Sequence, residues 1–344
     1  MSEPTPRPVR RRRRLVRFAA AVAVLCALAG YLVVQYVTGG TARACKVVAV
    51  GNAPAAYRFT PEQAVNAATI AAVGTGQGMP ERAVAVALAT ALQESGLRNL
   101  AHGDRDSVGL FQQRPSQGWG TEKQIMDPAY AAGVFFEHLA KVPDYARLPV
   151  TVAAQRVQRS GFPEAYAKHE QDAALLAAAL TGQTAASLTC QGLPAADART
   201  TAMGTGTGTG IDAGTAVDAL RAALVRDFGP SENLQEAGAQ VGGAARPSPK
   251  PSPTVTARAR GRMITLPVPG GTKTDAAGRS ELERGWQLAQ WAVANASALH
   301  IRQVSYAGRQ WSAGSTDSQW RPIAPASAPG AERTTGSVRI VTGQ

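Results

Sequence analysis

Glu94 is the residue of this chain best placed for acid–base chemistry. Apolar residues at helical spacing lead up to it: Val84, Ala87, Leu88, Ala91 and Leu92. Gly96 can end such a helix directly after the acid, so Glu94 is expected at a helix end that faces a loop. Burial against apolar neighbours disfavours a charged carboxylate, so this glutamate can stay protonated near neutral pH. It can then serve as a general acid.

A short apolar turn and two amide side chains follow Glu94, after a polar loop. The residues are Gly109, Leu110, Phe111, Gln112 and Gln113. Amide side chains both donate and accept hydrogen bonds, which suits a neutral ligand rich in hydroxyl groups. A buried acid followed by such amides predicts chemistry on sugars.

Two motifs in this stretch resemble those of the soluble lytic transglycosylase and goose-type lysozyme family. The first is Glu94-Ser95. The second, fifteen positions later, is Gly-Leu-Phe-Gln at 109–112, where the family usually has Gly-Leu-Met-Gln. The resemblance covers residues 45–195 and implies an all-α lysozyme-like domain that acts on the glycan strands of peptidoglycan. It implies that Glu94 is the catalytic acid and that Ser95 and residues 109–113 belong to the substrate site.

One element of that family is changed here. Its members usually carry Ala-Tyr-Asn-x-Gly on a later helix, and the best match is Val-Gln-Arg-Ser-Gly at 157–161, with Gln158 in the position of the tyrosine. The resemblance implies that this tyrosine contacts sugar and hydrogen-bonds the catalytic acid. Tyr166 or Trp119 can supply an aromatic face instead, because such faces suit the apolar faces of sugar rings. A packing role is the alternative for Trp119.

The choice of mechanism depends on a second carboxylate. Hydrolysis with inversion needs one at ~6.5 to 9.5 Å from the acid, and hydrolysis with retention needs one at ~5 to 5.5 Å. Asp104 and Asp106 are the nearest candidates in sequence, but solvated turn residues are common in such loops. By resemblance, a transglycosylase needs only Glu94, which protonates the glycosidic oxygen and then helps the 6-hydroxyl of muramic acid close a 1,6-anhydro ring. The single prominent acid favours this route and leaves hydrolysis open.

Helices are predicted throughout the lysozyme-like region. The cap-and-proline pattern at 60–63 predicts a helix that runs to about Val73, where the glycine-rich segment from Gly74 to Gly78 is expected to end it. A second helix from Pro80 delivers Glu94. Further predicted helices begin at Asp127-Pro128 and cover about 150–159 and 163–181.

The formal net charge of +12 does not indicate nucleic acid as a partner. Residues 1–17 carry seven arginines against one glutamate, which is half of the excess, whereas residues 45–195 hold twelve basic and twelve acidic residues. The candidate catalytic region therefore lacks the overall basic bias that phosphate binding needs.

The N-terminal residues predict a single-pass membrane topology. The twenty residues 18–37 carry no charge and can cross the hydrocarbon core as a helix, at ~1.5 Å per residue against ~30 Å. The preceding arginines place residues 1–17 in the cytoplasm and the rest of the chain outside, with membrane lipid around the span. A signal peptide cleaved near Ala44 is the alternative.

Two cysteines lie at the ends of the lysozyme-like region. In an oxidising compartment Cys45 and Cys190 are expected to form a disulfide, with free thiols as the alternative. The chain has three cysteines and four histidines without zinc spacing, so no metal site and no cofactor are predicted.

The rest of the chain completes the predicted organisation. Residues 196–262 are rich in Gly, Thr and Pro, which predicts a flexible linker with one possible helix at 216–228. Residues 263–344 are predicted to be a small α+β domain, to which no function is assigned. The expected fold class is thus mainly α: a transmembrane helix, an all-α lysozyme-like domain, a linker and the small α+β domain.

These observations together predict a membrane-anchored muramidase-type enzyme that cleaves peptidoglycan glycan strands outside the cell membrane. Two other classes stay open. One is a catalytically silent peptidoglycan-binding or scaffold protein, which the change at Gln158 favours. The other is a membrane component of a transport or secretion system.

Overall fold

The computed structural model of the chain places helices and two antiparallel sheets in the unit Ala44–Gln344. The structure describes residues 30, 44–49, 55–159, 163–191, 213–229, 258–260, 262–268, 274–314, 319–323 and 336–343.

The helices occupy much of the described chain. They are α1 (Pro61–Gly76), α2 (Glu81–Ser95), α3 (Glu122–Ile125), α4 (Pro128–Ala140), α5 (Val150–Gln158), α6 (Glu170–Leu180), α7 (Ala213–Phe228) and α8 (Glu281–Ala294). Two 3-10 turns lie at Pro115–Gln117 and Pro163–His169.

The strands form two sheets. The first contains β1 (Cys45–Val48), β2 (Ala56–Phe59) and β3 (Leu188–Cys190), in the order β2-β1-β3. The second contains β4 (Arg258–Arg260), β5 (Met263–Pro267), β6 (Ile301–Tyr306), β7 (Arg309–Ser312), β8 (Arg321–Pro322) and β9 (Ser337–Thr342), in the order β4-β5-β9-β6-β7-β8. All pairs described in both sheets are antiparallel.

Helix α1 begins where the sequence predicts and ends later. The Thr60 hydroxyl accepts the backbone N–H of Gln63, whose side chain accepts the N–H of Thr60 in return. The helix then continues through Gly74, which was expected to end it, and stops at Gly76. A Cβ on Gly74 would collide with the ring of Phe136 in α4. Gly74 therefore serves the close approach of two helices and not a turn.

The prediction of a mainly α chain is wrong, because the fold is α+β. A three-stranded sheet lies within the region that was expected to be all-α, where Cys45 stands opposite both Phe59 and Cys190. Its strands have only three or four residues. Such segments are too short for the alternation of apolar and polar residues that distinguishes a strand from a connection. The pairing of β1 with β3, from opposite ends of the region 45–195, decides their structure.

The predicted single-pass membrane topology is also corrected. None of the helices that the structure describes has the length and apolar character needed to cross a membrane. Apart from Gly30, the predicted span at 18–37 lies outside the described residues.

Helix α8 packs against the helices that precede it in the chain. Gly182, at φ 87°, lies so close to α8 that a side chain there would collide with the carbonyl oxygen of Glu283. The buried side-chain oxygen of Gln290 accepts the backbone N–H groups of Ser187 and Leu188 at 3.0 and 2.9 Å. Since β3 begins at Leu188, α8 holds one end of the first sheet.

A buried carboxylate joins three helices beside this contact. Asp227 of α7 accepts the indole N–H of Trp291 at 2.8 Å and the hydroxyl of Thr69 at 3.1 Å. Arg226 pairs with the same carboxylate at 2.7 Å. These contacts connect α1, α7 and α8. The domain limits at 195 and 262 remain a prediction from the sequence.

The C-terminal tryptophans contribute to packing. Trp286 lies edge-on to Trp320, with ring centroids 5.2 Å apart, and the indole N–H of Trp320 bonds the carbonyl oxygen of Leu188 at 2.9 Å. All four tryptophans after residue 262 are buried, namely Trp286, Trp291, Trp311 and Trp320. Their rings are therefore covered by protein and are not open faces for a glycan.

Candidate active site

Helix α2 carries Glu94 to the edge of the core. Most of the helix is buried, and Glu94 itself is half-buried next to its last residue, Ser95. Gly96 adopts the left-handed conformation at φ 61° and donates its N–H to the carbonyl oxygens of Ala91 and Leu92. Glycine is the residue that takes this conformation at least cost, so the helix ends here. The acid is thereby presented at a helix end, as the apolar pattern predicts.

Two side chains hydrogen-bond the Glu94 carboxyl group. The hydroxyl of Tyr166, which is fully buried, donates to Oε1 of Glu94 at 2.7 Å. The pKa of Glu94 is raised above its ordinary value by burial, while the hydrogen bonds from Tyr166 and Gln158 act in the opposite direction. Glu94 therefore has a raised pKa together with a fixed orientation, which suits a proton donor.

We expect Tyr166→Phe to raise the pKa of Glu94 further. The hydroxyl stabilises the charged carboxylate, so its removal favours the protonated form. NMR titration of the side-chain carboxyl carbon of Glu94 measures this directly. Tyr145→Phe is the matched control, because it removes a hydroxyl whose partner is the sulfur of Met79, at 4.0 Å, and not Glu94. A pKa that falls in the Tyr166 variant, or moves equally in the control, would contradict the assignment.

Ser95 connects the acid to the second motif. Its hydroxyl donates to the carbonyl oxygen of Leu110 at 2.7 Å and to that of Ala91 at 3.0 Å. The side chain is buried. Ser95 therefore positions the 109–113 turn against α2 and faces the protein interior.

The 109–113 turn is held by its apolar residues. Leu110 and Phe111 are fully buried, and the ring of Phe111 stacks on Phe135 with centroids 4.7 Å apart. Gly109 has φ 81°, and a Cβ there would lie 2.8 Å from the carbonyl oxygen of Ile125. Phe111 thus fills core space, and only glycine fits at the start of the turn.

The two amides of the turn have different surroundings. Gln113 is buried and donates to the carbonyl oxygen of Ala131 at 3.1 Å, so it faces inward. Gln112 is half-buried at φ 48°, donates to the carbonyl oxygen of Gly109 at 3.1 Å and accepts the hydroxyl of Ser107 at 3.2 Å. Of the pair, Gln112 is the one with an accessible part.

Gln158 lies between the acid and a cleft. Its side-chain amide donates to the carbonyl oxygen of Phe111 at 2.7 Å and also hydrogen-bonds Glu94. Gln158 is the last residue of α5, and the next residue, Arg159, takes the left-handed conformation at φ 53°. The rest of the motif at 160–162 lies outside the described residues. Hydrogen bonding to the acid, which the resemblance assigned to one tyrosine, is here shared by Gln158 and Tyr166.

The cleft next to Gln158 has a volume of about 500 Å³. Trp119 lines it, half-buried, with its ring 4.3 Å from that of His138. The residues around the cleft are Gln117, Trp119, His138, Lys141, Val142, Pro143, Arg156, Val157, Gln158 and Arg159. Gln158 is thus the lining residue that also contacts Glu94, which does not itself line the cleft.

The two loop aspartates are not equivalent. Asp106 accepts the Nε of Arg114 at 2.6 Å and the backbone N–H of Ser116 at 2.9 Å. The pKa of Asp106 is held below its ordinary range by the hydroxyl and N–H of Ser116 and then by Arg114. Asp104 is exposed. Asp106 therefore stabilises the loop through its ion pair with Arg114, and its lowered pKa makes it a weak base.

Sequence reasoning missed the cations of the cleft. The cations come from two helices: Lys141 directly follows α4, Arg156 lies in α5 and Arg159 directly follows α5. The fold brings these helices together around Trp119. Nothing local distinguishes them from ordinary solvated helix residues. Within the described ranges, no group of three or more His, Cys, Asp or Glu side chains is arranged to hold a metal ion.

Comparison with known proteins bears on another part of the chain. The family model described as "VldE, C-terminal domain" matches residues 251–334. This match covers about a quarter of the chain and includes α8 and much of the second sheet, but not Glu94 or the cleft. No curated protein matches the chain.

Proposed function

We propose that this chain cleaves the glycan strands of peptidoglycan as a lytic transglycosylase, with Glu94 as the general acid and base. The observation that carries the proposal is the setting of Glu94: a half-buried carboxyl group with a raised pKa, bonded by Tyr166 and Gln158 beside a cleft. The motif resemblance of Glu94-Ser95 and residues 109–112 supplies the substrate class.

The reaction begins with the protonated acid. With its proton on Oε2, Glu94 can still accept the Tyr166 hydroxyl at Oε1. Glu94 gives that proton to the glycosidic oxygen, the C–O bond breaks, and positive charge develops on the muramic acid ring. The Tyr166 and Gln158 hydrogen bonds then stabilise the carboxylate that remains.

The second step returns the proton. The Glu94 carboxylate accepts the proton of the 6-hydroxyl of muramic acid, whose oxygen bonds to C1 and closes a 1,6-anhydro ring. No water is consumed, and Glu94 ends protonated as it began. One carboxyl group is therefore enough for both steps.

The surroundings of the loop aspartates favour this route over hydrolysis. A second carboxylate that activates water must be free to accept a proton. Asp106 is paired with Arg114 and has a lowered pKa, so it accepts one poorly. This supports the route that needs Glu94 alone.

Analysis of the product ends tests the proposal. We expect the purified protein to release fragments that end in 1,6-anhydromuramic acid, identified by mass spectrometry. Asp104→Asn and Asp106→Asn are expected to keep most of the activity, because neither carboxylate takes part. Reducing-end muramic acid together with an inactive aspartate variant would indicate hydrolysis instead.

A catalytically silent glycan-binding or scaffold protein is the second candidate. Gln158 in the position of the family tyrosine is the observation that favours it. Protein that binds glycan strands but releases neither product would establish this candidate and overturn the enzyme.

A further inference from the structure

The cleft beside Gln158 has a strongly positive lining. Lys141, Arg156 and Arg159 contribute three cationic groups, and none of the described residues that line the cleft is acidic. Residues 45–195 as a whole hold equal numbers of basic and acidic residues. The positive charge is therefore local to the cleft and not a general property of this region.

The behaviour of His138 supports this picture. The pKa of His138 is lowered by burial and then by the charges of Lys141 and Arg159, with Glu137 acting in the opposite direction. The two cations must lie near the imidazole to have this effect. His138 is thus favoured in its neutral form, and its ring lies against that of Trp119 at an interplanar angle of 32°.

The cleft is connected to the catalytic acid through one side chain. Gln158 lines the cleft and hydrogen-bonds both Glu94 and the carbonyl oxygen of Phe111. If a glycan strand is cleaved at Glu94, the part of the substrate next to the scissile bond must lie by the cleft. Whatever binds there is therefore attached to the sugars that are cut.

The lining suits a sugar substituent that carries carboxylates. Guanidinium groups bind carboxylates through paired hydrogen bonds, and lysine adds a mobile point charge. Trp119 offers an aromatic face, and the amides of Gln117 and Gln158 can bond peptide or hydroxyl groups. In peptidoglycan, the groups that combine carboxylates with amides are the peptide stems on muramic acid.

Resting on the proposed function, we propose that the cleft lined by Lys141, Arg156 and Arg159 binds the carboxylates of these peptide stems. The protein then prefers glycan strands that still carry peptides to strands from which an amidase has removed them. An exposed ion pair contributes little, so each cation is expected to account for about a two- to fivefold preference. The preference should decline in high salt, because salt screens exposed charges.

The test compares two substrates prepared from the same wall material. The ratio of kcat/KM for peptide-bearing strands to that for amidase-stripped strands is measured for the wild type, for Lys141→Gln and Arg156→Gln, and for the double variant. Arg159 is left unchanged, because it takes the left-handed conformation (φ 53°) that ends α5 directly after Gln158, so a change there can also displace Gln158. We expect the ratio to exceed one in the wild type and to fall towards one in the double variant.

Two further variants separate charge from shape. Arg156→Lys keeps the positive charge and is expected to restore most of the ratio that Arg156→Gln loses. Arg147→Gln is the matched control, since this exposed arginine does not line the cleft, and its ratio should equal that of the wild type. A wild-type ratio of one or less, or a double variant with the wild-type ratio, overturns the proposal.

Binding measurements distinguish a failure of this proposal from a failure of the proposed function. The same two kinds of strand are titrated against the Glu94→Gln protein, in which cleavage is not required. If the wild type cleaves neither strand, the proposed function fails, and the ratio of the two Kd values then decides the cleft proposal. Equal Kd values overturn it. Tighter binding of peptide-bearing strands that is lost in the double cation variant supports it.

Discussion

Replacing Glu94 with glutamine is expected to lower the rate of glycan cleavage by ~10²- to 10⁴-fold, the usual range for loss of general acid catalysis. Glutamine keeps the shape of the side chain, and its amide oxygen can still accept the Tyr166 hydroxyl that now bonds Oε1 at 2.7 Å. It has no proton to give at neutral pH. The loss should therefore fall on kcat, while binding of the strand persists. Release of 1,6-anhydro ends from peptidoglycan measures the rate.

The stability of this variant separates catalysis from folding. The pKa of Glu94 is raised in the folded protein. The folded state therefore binds its proton more tightly than the unfolded state, and the stability that this contributes is lost as the pH rises through the folded pKa. Glutamine does not titrate, so at neutral pH the variant should melt at the wild-type temperature or above it.

Glu62→Gln provides the matched control, as the same chemical change at an exposed position in the first turn of α1. It should keep full activity. Equal activity of Glu94→Gln and the wild type would refute the role of Glu94 as the acid. A variant that melts far below the wild type would show that the carboxyl group is needed for folding.

The position of the acid could be predicted because its determinants are local. The apolar spacing before Glu94 specifies a buried helix face, and Gly96 supplies the left-handed residue that ends the helix. Thr60 likewise caps α1 through contacts within a single turn. The prediction of where α1 ends was wrong because it depends on a residue far away in the sequence. Gly74 was expected to end α1, but Phe136 of α4 packs at that position and the helix continues.

The details of the site depend on contacts between residues far apart in the chain. Ser95 and Gln113 have the residue types expected of a sugar site, yet both are buried and bond backbone carbonyl groups of the fold. Tyr166 was an alternative to the missing motif tyrosine, and only the fold brings its hydroxyl to Glu94. A motif predicts which residues lie near a site, but burial decides which of them can reach a ligand.

The first sheet illustrates the same limit on fold class. Strand β3 pairs with β1, although almost the whole sequence of the lysozyme-like region lies between them. Gln290 of α8 also accepts the backbone N–H groups of Ser187 and Leu188. No window of sequence contains both partners of either contact. Periodicity could therefore not predict the α+β fold.

Removal of the disulfide is expected to have the largest effect on stability. The structure joins Cys45 of β1 to Cys190 of β3, with a sequence separation of 145 residues. Closing so long a loop removes conformations from the unfolded chain, which in the chain-entropy model stabilises the fold by ~4 to 5 kcal/mol. The double variant Cys45→Ala and Cys190→Ala should lose about this free energy of unfolding. Urea denaturation measures it through a lower midpoint.

The third cysteine of the sequence, Cys26, provides the matched control, because Cys26→Ala is the same exchange outside the disulfide, and its midpoint should equal that of the wild type. A reducing agent should lower the wild-type midpoint and leave the double alanine variant unchanged. Wild-type protein with the same midpoint before and after reduction would contradict the prediction. Because Gln290 also holds β3, Gln290→Ala combined with the double variant tests whether the two restraints are independent. If the sheet needs either one to keep β3 in place, the combined loss will exceed the sum of the separate losses.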